Sequence, residues 1–95
     1  MATLSEDDIA TALRDLPGWE QGGGQIAKEY RLDGFPAAVA FVVRLSYAAE
    51  AANHHPDLDI RYDKVRVALS THSEGGVTAK DIELARTIEG LVPGG

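Results

Sequence analysis

Three histidines, His54, His55 and His72, are the side chains of this sequence best suited to moving protons near neutral pH, because an unperturbed imidazole titrates near about 6.5. Two are adjacent and run into Pro56, and two carboxylates stand where they could assist: Glu50, one helical turn before His54, and Asp81, shortly after Thr78. If the preceding helix reaches His54, Glu50 lies on the same face and orients that ring. Asp81 occupies the N3 place of a capping-box-like start, a structural role that needs no chemistry. The chain has no cysteine, no phosphate-binding loop and no glycine-rich dinucleotide fingerprint, so proton transfer is the chemistry that remains. Three histidines can also hold a catalytic zinc. Adjacent histidines, however, point about 100° apart on a helix or to opposite faces of a strand. No HExxH or HxH spacing is present, so no metal and no other cofactor is expected.

The elements around these residues decide whether they meet. Leu58, Ile60 and Tyr62 alternate with charged residues, as do Val65, Val67 and Leu69 with Lys64, Arg66, Ala68 and Ser70, the period of half-buried antiparallel strands. A two-residue turn at Asp63-Lys64 pairs Tyr62 with Val65, Ile60 with Val67 and Leu58 with Leu69. A slip by one residue sets apolar against charged side chains, whereas a slip by two keeps the alternation and stays open. The chosen register sets Arg61 against Arg66, a mildly unfavourable pair. Extended outward, it brings Pro56 opposite Thr71 and His55 opposite His72, with Cβ atoms about 4.5–5.5 Å apart. Singly, each residue has a bland reading: a polar helix exit at His54-His55-Pro56, a surface His72 before Gly75-Gly76, Trp19 and Tyr62 as core or rim. Their convergence at one hairpin mouth favours a site.

Elsewhere, Ser5 caps a first helix with Glu6, Asp7 and Asp8 in its opening turn, and Pro17-Gly18 ends it. Gly18–Gln21 and Gln25–Leu32 flank the Gly22-Gly23-Gly24 turn as a hairpin, although Lys28 interrupts the face shared by Ile26, Tyr30 and Leu32. Pro36 suits the first turn of an apolar second helix running to about Asn53, and a third helix opens at Thr78 with Ile82, Ala85, Ile88 and Val92 on one side. The order α-β-β-α-β-β-α predicts an α+β fold: one four-stranded antiparallel sheet with three helices on one face, a single domain over residues 1–95. A net charge of −6 with scattered basic residues disfavours nucleic-acid binding. Met1–Ile9 lacks the segments of a signal peptide, and the most apolar run, Phe35–Val43, is about half a bilayer span before Arg44 interrupts it. A cytoplasmic location without membrane contact is expected. Apolar surface on the second helix predicts a homodimer or homotetramer.

Glu50, His54-His55-Pro56, Tyr62, the run Leu69-Ser70-Thr71-His72 and Asp81 together resemble the pterin-4a-carbinolamine dehydratase family at every fixed position of its motif. Tyr62-Asp63-Lys64-Val65 and Asp81-Ile82-Glu83-Leu84-Ala85 extend the match, and a weaker similarity near Gly18-Trp19 and in the second helix carries it over most of the chain. The resemblance implies dehydration of 4a-hydroxytetrahydropterin to quinonoid dihydropterin in tetrahydrobiopterin recycling. It implies His54, His55 and His72 as active-site histidines and Glu50 and Asp81 as supporting acids. The pterin is expected to contact His54, His55, Pro56, Thr71, His72, Ser73 and Glu74. Asp57-Leu58 stands where many relatives have Glu-Trp, a change at the pocket wall or a subunit contact. The expected chemistry is concerted elimination, with His55 as main base and His54 and His72 as acid or pterin-positioning groups. The alternative is a non-catalytic interaction or assembly module acting as an oligomerisation partner, as some relatives of the family do.

Overall fold

The Ser5 hydroxyl accepts the Asp8 N–H at 3.1 Å and opens helix α1, Glu6–Ala12, whose first turn carries three acids. In the computed structural model, which describes residues 2–93, α1 gives way to a 3₁₀ turn at Leu13–Asp15 and ends before Pro17-Gly18. Met1 and Gly94-Gly95 lie outside the described residues. Gly18 has φ +89°, a backbone conformation that residues with a Cβ rarely adopt.

Strands β1 (Glu20–Gly22) and β2 (Gln25–Arg31) pair antiparallel, with Gly22 opposite Gln25. Gly23 and Gly24 both have positive φ, as a tight two-residue hairpin turn requires. Helix α2, Phe35–Ala52, follows with Pro36 in its first turn, and α3 spans Ala79–Glu89. Between them lie β3 (Asp57–Arg61) and β4 (Lys64–Leu69). The sheet is four-stranded and antiparallel throughout, as the sequence pattern predicts, and its strand order is β1-β2-β4-β3. Ile26 and Tyr30 of β2 and Val65, Val67 and Leu69 of β4 form its buried face, against Phe41 and Leu45 of α2 and Ile82, Ala85 and Ile88 of α3.

The β3–β4 register differs from the expected one by two residues. The turn falls at Tyr62-Asp63, with Tyr62 at φ +57°, and pairs Arg61 with Lys64, Ile60 with Val65 and Leu58 with Val67. Alternation fixes which face each side chain takes but not this phase. Charge at Arg66 favours the observed phase, since Asp59 rather than Arg61 stands opposite it, although Arg61 now faces Lys64. The turn is held further by the Leu32 N–H on Asp63 O at 2.7 Å and the Arg31–Asp63 pair at 3.2 Å. His55 and His72 are therefore not cross-strand partners; continued past the strand ends, the register brings His54 level with Thr71.

The interruption at Lys28 also has a cause. Lys28 does face inward with Ile26 and Tyr30, and its Nζ reaches Glu89 Oε2 and Pro17 O, each at 2.8 Å, lying 4.7 Å from the Tyr30 ring centre. Trp19 Nε1 and the Tyr30 hydroxyl donate to the same Glu89 oxygen. Burial would raise the Glu89 carboxyl, but the bonds from Lys28, Tyr30 and Trp19 outweigh it and hold that group below its ordinary value. The Tyr30 phenol is pushed far upward, first by burial and then by Glu89.

By length and composition α2, with 18 residues and a mean hydropathy of 1.3, is long and apolar enough to cross a bilayer, more so than its Phe35–Val43 run suggests. One side is nevertheless locked into the core through Ala38, Phe41, Leu45 and Ala49. The opposite side exposes Phe35, Val39, Val43 and Tyr47 at four-residue spacing.

Candidate active site

Asn53 decides where the histidines go. It ends α2 in the left-handed conformation (φ 50°, ψ 44°), and the His54 N–H turns back to Ala49 O at 3.0 Å. The chain therefore leaves the helix before His54, and the expected Glu50–His54 alignment does not form. Glu50 Oε1 instead lies 2.8 Å from Nε2 of His55, an exposed pair. His54 turns inward, and its Nε2 bonds to Oδ1 of Asp81.

Asp81 is wholly buried and holds three partners. Its Oδ2 accepts the Thr78 N–H and the Thr71 hydroxyl, each at 2.9 Å, while Oδ1 faces His54. Thr78 Oγ1 in turn accepts the Lys80 N–H at 3.2 Å and lies 2.8 Å from Thr71 Oγ1. The capping box expected at Thr78 and Asp81 is present, and the same carboxylate binds the histidine. Among the described residues, the buried polar side chains are His54, Thr71, Thr78 and Asp81, and all four belong to this one network. With both Asp81 oxygens accepting, His54 Nε2 carries the hydrogen, which leaves Nδ1 as the nitrogen able to face a ligand.

His54 also lines a cavity of about 240 Å³ between α2 and α3, walled by Ala48, Ala52, Ala79 and Leu84 with Lys80 and Glu83 beside it. His72 begins a 3₁₀ turn, His72–Glu74, directly after Thr71; it is exposed, and its ring makes no hydrogen bond among the described residues. Ser73 and Glu74 are exposed in that turn, and Pro56 is half-buried. The fold thus gathers His54, Asp81, Thr71 and Thr78 in one cluster and His55 with Glu50 in a second, at the next residue. His72 is tied to the first cluster through the backbone at Thr71. Thr78 was legible only as a cap. Its link to Thr71 had a signal, since Thr71 continues the inward phase of Val65, Val67 and Leu69.

The family model described as Pterin 4 alpha carbinolamine dehydratase matches residues 2–91. A Nocardia farcinica protein named provisionally as a pterin-4-alpha-carbinolamine dehydratase is 53% identical over 88 residues, 93% of each chain. A Roseiflexus castenholzii protein with the same provisional name is 48% identical over 91 residues, 96% of this chain and 98% of its own. A crystal structure of a transcriptional coactivator/pterin dehydratase from Brucella melitensis superposes with a TM-score of 0.90 at 35% identity, covering 95% of this chain and 98% of that one. A pterin dehydratase-like RuBisCO assembly factor of the alpha-carboxysome shares the fold at a TM-score of 0.70 and 17% identity, over 84% of this chain and 95% of that one.

Proposed function

Because the chain belongs to the pterin-4a-carbinolamine dehydratase family, we propose that it dehydrates 4a-hydroxytetrahydropterin to quinonoid dihydropterin, returning the pterin to tetrahydrobiopterin recycling. The observation that carries this reading is His54, held by a buried carboxylate and facing a cavity with largely apolar walls. Loss of water from the carbinolamine requires a proton taken from a ring N–H and another given to the departing 4a-hydroxyl. His55 serves as base: Glu50 accepts from its Nε2, leaving Nδ1 with the lone pair. His54 serves as acid, its imidazolium delivering a proton from Nδ1 while Nε2–H stays on Asp81. His72, at the start of the adjacent turn, positions the pterin with Pro56, Ser73 and Glu74. No metal enters this scheme.

The test is stopped-flow dehydration of the carbinolamine with and without chelator. Acceleration over the spontaneous rate that survives chelation supports the reading, and a rate equal to the spontaneous one refutes it.

The exposed Phe35-Val39-Val43-Tyr47 stripe and the open edge of β3, where Leu58 and Ile60 are exposed, support a homodimer or homotetramer. Val43→Glu is expected to lower the sedimentation mass, and an unchanged mass argues against α2 as the interface. The same stripe favours the second reading, an interaction module. That reading holds if partner binding is found with no dehydratase activity.

A further inference from the structure

We propose that Thr71 is a positioning residue for His54, acting through Asp81, and that its side chain, expected from the family resemblance to contact the pterin, does not touch substrate. This rests on the proposed acid/base reading for its kinetic consequence. Thr71 is 5% exposed, and each of its polar atoms is already engaged within the protein. The hydroxyl bonds Asp81 Oδ2 and Thr78 Oγ1. The N–H goes to Gly76 O at 2.8 Å, and the carbonyl accepts from Glu74 N–H at 2.9 Å and Gly75 N–H at 3.0 Å.

The arrangement explains why a carboxylate on one helix can hold a ring that follows another. A carboxyl group turns readily about its last torsion. The Thr78 N–H and the Thr71 hydroxyl converge on one Asp81 oxygen from a helix start and a strand end, and so aim the other oxygen at His54 Nε2. Loss of the Thr71 hydroxyl leaves that oxygen with one donor and lets the carboxyl swing. The chain segment before His72 thus contributes to the site by fixing His54, while ligand contact falls to the exposed residues after it.

The experiment compares Thr71→Val, which keeps the shape and removes the hydroxyl, with Thr71→Ser, which keeps the hydroxyl. Thr71→Cys, with a weakly bonding thiol, is carried along in case the valine variant unfolds on a thermal melt. Stopped-flow kinetics should give a kcat about tenfold lower for Thr71→Val with KM within about twofold, and near wild-type values for Thr71→Ser, the scale of one buried hydrogen bond. Imidazole ¹⁵N spectra of the free protein should move at His54 in Thr71→Val and not in Thr71→Ser. A raised KM with unchanged kcat would mark Thr71 as a substrate contact and overturn the proposal, as would a His54 spectrum unaltered in the valine and cysteine variants. Were the wild-type chain to show no acceleration, the proposed function would fall while the spectra still decided whether Thr71 governs His54.

Discussion

Replacing Asp81 by asparagine exchanges one carboxylate oxygen of a fully buried network for an NH₂ group while keeping its shape, and the structure dictates how the amide must lie. The Thr78 backbone N–H can only donate, and it shares Asp81 Oδ2 with the Thr71 hydroxyl. In Asp81→Asn the amide oxygen must take that place, which turns the NH₂ toward His54 Nε2. His54 then has to accept at Nε2 and carry its hydrogen on Nδ1, the reverse of the tautomer that Asp81 imposes. All other bonds survive, so the fold should lose only the charge-assisted part of one bond, about 1–2 kcal/mol. In urea that is a midpoint lower by roughly 0.5–1 M at the m-values of small domains. The reaction loses far more, because a neutral ring opposite an amide no longer supplies an acid: kcat should fall by about 10²–10⁴-fold. Stopped-flow dehydration and the His54 ring ¹⁵N shifts measure the two sides. An Asp81→Asn protein that keeps wild-type kcat, or one whose ring shows the wild-type tautomer, refutes the reasoning.

Asp81→Ala should be far more damaging to the fold, about 3–5 kcal/mol by urea denaturation, since it strands three buried donors. Glu89 is held below its ordinary value in the folded chain, so the stability it contributes is present above the unfolded pKa and is lost as pH falls through the folded one. Urea midpoints should therefore drop on acidification below about 4.5, and Glu89→Gln should flatten part of that fall. Because burial and Glu89 push the Tyr30 phenol upward, Tyr30→Phe should leave the alkaline ultraviolet titration of the native protein unchanged. Asn53→Gly should match wild type in stability and activity, whereas Asn53→Val, forced to positive φ, should cost about 1–2 kcal/mol and lower kcat by misdirecting His54.

The helix starts and the first hairpin turn were legible because each is a local contract between neighbours: Ser5 with Asp8, Gly23 with Gly24, Thr78 with Asp81. Strand faces were legible for a similar reason, since alternation needs no partner. What local pattern could not supply was phase. Two registers of the β3–β4 hairpin satisfy the same alternation, and they are separated by the charges at Asp59, Arg61, Lys64 and Arg66, weighed across the pair, and by the contacts of Asp63 with Arg31 and Leu32. The exchange of histidine partners arose from Asn53: one left-handed residue gave Glu50 to His55 and sent His54 to Asp81. Lys28 looked like an error in the pattern because its partner, Glu89, comes from the far end of the chain.

Asp81 sits in the opening turn of α3, so the site cannot outlast that turn. Melting one loop of helix, with the sheet and its apolar layer intact, would free the carboxylate and release His54 into an unfixed orientation. The chemistry is therefore only as durable as the weakest hydrogen bonds at that helix start, and substitutions that strengthen them, far from any ligand, would lengthen the life of the active state.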